Sequence, residues 1–264
     1  MSATTYTVPL RAGTATTINR HLKGEWTKLR TLPSTWRTAA LAGALAIGFT
    51  GAVDLNQVSL TAQQRHTFDA TSASLFGVII AATLLGALAV RTVTAEYATG
   101  MIRSTFTAMP ARRLVLTAKA VTVAALVLPV ALLCDVAGFA LGQRIFASKH
   151  LQVALSHPGV PRAIVFGAVA ASLVAIIGVG LGGLIRHTAG ATTTLTLIIV
   201  GGVTLGQLLP AGLRQYLPGT AIQAAITVHH SSGLLTPNAA IALLSAYAAI
   251  VLAAALIRVG HRDA

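Results

Sequence analysis

The sequence predicts an all-α polytopic membrane protein with six transmembrane helices and both termini in the cytoplasm. Three observations predict it. First, 55% of the 264 residues are hydrophobic and only 9% are charged, whereas an ordinary soluble domain carries roughly 25% charged residues. Mean hydropathy is +0.76. Second, residues 38–53, 70–90, 163–185, 187–213 and 215–257 contain no Lys, Arg, Asp or Glu, and 120–143 contains only Asp135. Third, the 19 Lys and Arg, which outnumber six acids and give a net charge of +13, fall mainly on one side of those runs. A surface this poor in charge excludes a typical cytosolic enzyme.

A spanning helix needs about 20 predominantly apolar residues. Trimming the apolar runs at Pro, Gly and polar clusters places spans at about 36–55, 72–93, 116–142, 163–185, 189–209 and 239–257. Fourteen of the 19 basic residues lie on the side of the two termini and five on the other. The positive-inside rule then puts both termini in the cytoplasm. The positive charge therefore reads as topology and as attraction to anionic headgroups of membrane lipids, with no nucleic acid as partner. Arg outnumbers Lys 15 to 4, which fits a GC-rich bacterial genome and a multi-pass location in the bacterial plasma membrane.

Residues 1–17 are rich in Thr and Ala, without the apolar core of a signal peptide, and read as a flexible tail. Residues 18–33 read as an amphipathic interfacial helix, ahead of a six-helix transmembrane domain over 34–264. Ile18, Leu22, Trp26, Leu29 and Leu32 recur at helical spacing and fall on one face. Such a helix lies in the membrane interface, as an anchor or as an elbow touching a cytoplasmic partner. Pro33 is expected to stop it, with Ser34 or Thr35 capping the next helix. Trp36 suits the interface at the start of the first span.

The connection 94–119 is too polar to remain in lipid. It holds Glu96, and Gly100 and Pro110 divide it into a short helical piece and a turn before Arg112, Arg113 and Lys119. The third span contains Asp135, read as the only acid deep in a span. A charge there is costly, ~2.5–3.5 kcal/mol on insertion scales, so Asp135 faces protein or water, as part of a translocation path or bonded to neighbouring backbone. Pro129 kinks that helix. Cys134 stands alone, so no disulfide framework exists.

In the fourth span Gly178, Gly180 and Gly183 match G-x-G-x-x-G by letter. They lie inside an apolar helix with no acid following, so they are not a dinucleotide fingerprint. Gly178 and Gly182 instead form a small-x-x-x-small packing pair, repeated by Gly202 and Gly206 in the fifth span. Thr188, Thr192 and Thr196 share one helical face, with Thr193, Thr194 and Gln207 nearby. Their hydroxyls bond their own backbone carbonyls, or Thr192, Thr196 and Gln207 line a polar path with Asp135. His229 and His230 are adjacent, point apart on a helix and have no third ligand, so no metal site is expected. Pro210, Pro218 and Pro237 bracket an apolar piece, 219–228, that fits a re-entrant or interfacial helix.

Glu96, Gly100, Thr105, Pro110, Arg113 and Lys119, in this order after the second of six spans, resemble the type-2 permeases of ATP-binding-cassette transporters. That family's pattern is Glu, Gly-Thr, Pro-x-x-Arg, then Lys at the start of the third span; Met101 stands where Thr often follows the Gly. Glu25, Trp26, Thr27, Lys28, Leu29 and Arg30, followed by Trp36, are similar to the opening of such permeases. The resemblance implies a coupling helix around Glu96–Thr107, with Tyr97, Met101 and Arg103, docking on a separate ATPase subunit, and an elbow helix carrying Glu25, Trp26, Lys28, Leu29 and Arg30. Type-2 permeases also commonly carry a helix like 219–228. The implied function is export of a substrate by alternating access, working as a homodimer or with a related permease. This chain has no phosphate loop, G-x-x-x-x-G-K-[ST]. It is thus expected to be no enzyme and to hold no cofactor, with ATP and Mg on the partner. Rival readings are an ion-coupled transporter or channel, which should show more intramembrane acids or an inverted repeat, an intramembrane enzyme, and a membrane anchor subunit of a regulatory complex.

Overall fold

A computed structural model describes residues 14–57, 68–101, 112–148, 150–228 and 233–261. Among these the regular structure is helical, without strands. Six helices are long and apolar enough to cross a membrane: Pro33–Asn56, Ala70–Ala98, Arg113–Ala147, Val160–Ile185, Thr188–Leu208 and Pro237–Gly260. They coincide with the expected spans except for small shifts at the ends. This is a multi-pass membrane protein.

Helix α1 (Thr14–Thr31) precedes the bundle. It starts before residue 18 and ends before Pro33, so part of the expected tail is helical, while residues 1–13 lie outside the described residues. Leu32 alone links it to α2 (Pro33–Gln57). Pro33 does not merely stop α1: it opens α2, where its fixed φ suits a first helical position and its missing N–H costs nothing. The expected cap at Ser34 or Thr35 is therefore not used. The corner is fixed by Thr35 N–H donating to the Leu32 carbonyl at 3.1 Å and by the Trp36 indole donating to the Arg30 carbonyl at 2.9 Å, an end-of-helix acceptor that α1 itself cannot satisfy.

Helix α2 shows how such a bundle is built. Thr35, Ala39, Ala42, Ala46, Thr50 and Asp54 are buried, while Leu41, Leu45, Phe49 and Leu55 are exposed. Small side chains face protein and large apolar ones face outward. In water that outer stripe would be a liability. Against lipid there is no hydrophobic penalty, and small residues let helix backbones approach.

The second span is not the single helix expected. It is broken into α3 (Ala70–Ser74) and α4 (Val78–Ala98) by a turn at 75–77. Asp69 caps α3, accepting from Thr71 and Ser72 N–H at 3.0 and 3.1 Å. At the break, Gly77 N–H donates to the Thr50 hydroxyl at 3.1 Å. A Cβ on Gly77 would overlap the Ala46 carbonyl, so only glycine lets the break sit against α2.

Helix α5 (Arg112–Ala147) contains Pro129. Helix α6 (Val160–Ile185) is the central pillar, packed on α4, α5 and α10. The fifth span, α7 (Thr188–Leu208), has a π-helical turn at Leu197–Gly201 and a 3-10 end at Leu205–Leu208. Short helix α8 (Ala211–Arg214) leads to α9 (Pro218–Ile226). Helix α9 falls where the Pro-bracketed segment implied a helix; it is almost wholly buried and packs on α10 (Pro237–His261) and α6. Gly219 is its contact point: a Cβ there would overlap the Ile199 carbonyl.

Helix ends fall in two layers. The elbow layer holds α1, the end of α4, the start of α5, the α6–α7 junction and the end of α10. The opposite layer holds Asp69, which also accepts from Val228 N–H at 2.9 Å, Arg162, which donates to the Thr227 carbonyl at 2.8 Å, and α9.

Candidate functional site

The elbow layer contains a buried ionic cluster. Glu25 lies on the inner face of α1 with Leu29, one turn apart, and both are buried. Trp26 and Leu32 are exposed, 40% and 50%. The apolar stripe read from the sequence thus divides: Leu29 packs on the bundle, while Trp26 and Leu32 turn outward, in keeping with an interfacial helix. From α5, Lys119 reaches Glu25 at 2.7 Å and Glu96, on the last turns of α4, at 2.6 Å. Lys28 closes the group from α1, 2.8 Å from Glu25 and 3.2 Å from Glu96. The side chain of Lys119 is 3% exposed and those of both glutamates 9%, against 45% for Lys28. Two carboxylates and two ammonium groups alternate, and Lys119 is the shared inner hub.

Burial alone pushes the Glu25 carboxyl up, but Lys119 and then Lys28 outweigh it and hold it below its ordinary 4.5. Desolvation pushes the Lys28 ammonium down, and its two glutamate partners outweigh this and raise it above 10.5. A lowered carboxylate stabilises the fold above the unfolded value and loses that contribution as pH falls through the folded one. The melting temperature is therefore expected to drop as the pH is taken below 4.5. In Glu25→Gln the drop should be smaller, a comparison read by thermal unfolding at stepped pH.

The remaining residues of the motif continue the same layer. Tyr97 lies under Arg186, whose guanidinium carbon is 5.2 Å from the ring centre. Gly100 has φ +72°, a left-handed turn that ends the span, and Met101 after it is 51% exposed. Arg103, Thr105 and Pro110 lie outside the described residues. Arg113 lies across Gly260 of α10, where a Cβ would come within 2.7 Å of its Nε. The structure thus brings Glu25, Lys28, Glu96 and Lys119 into one ionic group, with Met101 beside it on a shared cavity. Glu96 faces inward, and Trp26 and Arg30 face out.

The opposite layer holds a second group. Asp135 is 4% exposed, and its Oδ2, without a hydrogen-bond partner among the described residues, lies 2.6 Å from where a Cβ of Gly167 would be. Asp135 is not the only deep acid. Asp54 of α2 is fully buried, and among the described residues neither of its carboxyl oxygens has a hydrogen-bond partner. A Cβ on Gly142 would overlap both Asp54 Oδ2 and Ser74 Oγ. Ser74 does not donate to Asp54, because its hydroxyl donates to the Ala70 carbonyl at 2.8 Å and accepts from Gln143 at 3.1 Å. The signal that could have found Asp54 is its register: it continues the small stripe Ala42, Ala46, Thr50 at helical spacing.

Thr192 and Thr196 are half-buried on α7, which packs on α4 and α6, whereas Asp135 faces Gly167 and the α2–α3 corner. Gln207 is exposed and accepts from Arg214 at 3.0 Å. The structure does not join these three to Asp135. Gly178 and Gly182 pack on α4: Cβ atoms there would lie 2.5 Å from the Gly86 carbonyl and 3.1 Å from the Val90 carbonyl. Gly202 meets Gly219 of α9, and Gly206 meets Leu217. His229 and His230 lie outside the described residues. Among the described residues no group of three or more His, Cys, Asp and Glu could hold a metal ion.

No family model matches this chain, and neither does any curated protein.

Proposed function

We propose that this protein is the transmembrane permease subunit of an ATP-binding-cassette exporter in the bacterial plasma membrane. It works as a homodimer or beside a related permease, with ATP and Mg held by a separate ATPase subunit. The elbow layer faces the cytoplasm in this reading. The observation that carries it is the ionic cluster. It ties the elbow helix, the end of the second span and the start of the third into one unit beside the Gly100 turn. These are the three elements whose motifs resemble the type-2 permeases. A push on the segment after Gly100 reaches α4 through its backbone and α1 and α5 through Lys119, so the spans would move together rather than fray apart. Glu96 then acts inside the junction, and Met101, exposed at the turn, is a docking residue.

The test is affinity purification of the tagged chain from its native membrane. An ATPase subunit with a phosphate loop should accompany it. Met101→Asp should remove that subunit while the chain still elutes as a folded protein. Recovery of the chain without an ATPase, in every detergent that preserves its melting transition, would reject the proposal.

A second reading, an ion-coupled transporter, is favoured by Asp54 and Asp135, two buried acids with unpartnered oxygens. Intramembrane acids mark ion and proton pathways. Uptake into vesicles driven by an ion gradient without ATP would support it.

A further inference from the structure

A cavity of about 420 Å³ opens beside the ionic cluster, between α1, the start of α2 and the last turns of α4. That volume is within the range of ligand pockets, ~300–1,000 Å³. Its wall is mainly apolar, formed by Leu29, Leu32, Leu88, Ala95 and Met101. Its charged groups are Glu25, Glu96, Lys28, Lys119 and Arg91. The two glutamates are each bonded to both lysines, which leaves Arg91 as the surplus charge.

Arg91 and Glu96 are the charged residues of the span Ala70–Ala98, and Glu96 is already held by Lys28 and Lys119. Residues 70–90 and 92–95 carry no charge, and Arg91 lies within the apolar helix Ala70–Ala98. Seven residues from the helix end at ~1.5 Å per residue, it sits about 10 Å inside that end, near the boundary of headgroups and acyl chains. Its side chain is exposed, and no described residue gives it an ion pair or hydrogen bond. A guanidinium at that depth needs an anion. Its planar fork fits phosphate with two parallel hydrogen bonds. The half-exposed Lys28 lies on the same cavity as a second cation.

We propose that this cavity binds an anionic phospholipid from the leaflet at the elbow layer. The phosphate sits on Arg91 and Lys28, and one acyl chain fills the space among Leu29, Leu32 and Leu88. The lipid would act as a wedge between the elbow helix and the second span, fixing the angle of α1. The apolar part of the wall, Leu29, Leu32 and Leu88, suits hydrocarbon rather than water. This inference does not depend on the transport reading or on which side the elbow layer faces.

The test uses the full chain, purified and delipidated, then titrated with phosphatidylglycerol or phosphatidylcholine in mixed micelles. Bound lipid is read by native mass spectrometry. Wild type should retain phosphatidylglycerol in preference to phosphatidylcholine. Arg91→Gln should weaken that retention by roughly fivefold, the worth of one basic residue near a lipid surface. Thr38→Trp, which fills the cavity and leaves Arg91 intact, should also lower it. Inorganic phosphate should not displace the lipid. Equal retention of the two lipids, wild-type retention by both variants, or displacement by inorganic phosphate alone would each overturn the proposal. Both variants are checked by their own melting transitions, and if Arg91→Gln does not fold, Thr38→Trp decides.

Discussion

Lys119→Met is expected to destabilise the protein by about 3–5 kcal/mol, the range for removing one partner of a buried ion pair. Among the described residues, Lys119 is the only partner of Glu25 and Glu96 that is itself buried, at 3% side-chain exposure. Without it the two carboxylates remain inside the bundle, sharing the half-exposed Lys28. Most of the loss is the cost of those stranded charges rather than the worth of the bonds. The triple variant Glu25→Leu, Glu96→Leu, Lys119→Met should therefore recover much of the stability, since replacing a whole buried ionic group by apolar residues is often neutral or better. Thermal unfolding in one detergent reads all three proteins. A single variant as stable as wild type would mean that the cluster is hydrated and carries little.

Gly178→Ala is the second large effect, about 1–3 kcal/mol destabilising, as for other overpacked cores. Its Cβ would lie 2.5 Å from the Gly86 carbonyl and 3.3 Å from the Ala89 Cβ. The obstacle is backbone, so α4 and α6 must separate. These two helices form one of the main contacts of the bundle, and the shift would propagate to Gly182, which sits against Val90 and Val93 one turn on. Gly48→Ala is the control. Gly48 is helical and meets nothing within 4 Å, so alanine there should leave stability unchanged or raise it by up to about 1 kcal/mol through helix propensity. Equal melting temperatures for the two variants would contradict the packing described for α4 and α6.

The spans were legible because the signal is local. A charge-free run of about 20 residues admits few other readings, and the small-residue pairs Gly178/Gly182 and Gly202/Gly206 announce close contacts without naming the partner. Pro210, Pro218 and Pro237 likewise bracketed the helix at Pro218–Ile226. The break in the second span was not legible. Leu75, Phe76 and Gly77 continue an apolar run, and the turn is set by tertiary contacts of Gly77 with Thr50 and Ala46. Glu25, Lys28, Glu96 and Lys119 stand out in the sequence, but their meeting in one ionic group does not. Glu25 and Lys119 are 94 positions apart, and nothing local distinguishes an inward Glu96 from a surface one. Asp54 went unnoticed for a related reason: at the end of a span, a lone acid reads as the start of a loop.

The proposed function is that of a permease driven by a separate ATPase through the elbow layer. Its most direct test is ATP hydrolysis by the copurified complex in lipid nanodiscs, compared between wild type and Met101→Asp. The proposal predicts an ATPase activity that purifies with the tagged chain and that Met101→Asp abolishes by releasing the ATPase from a still-folded chain. A folded wild-type chain that copurifies with no ATP-hydrolysing subunit would contradict it.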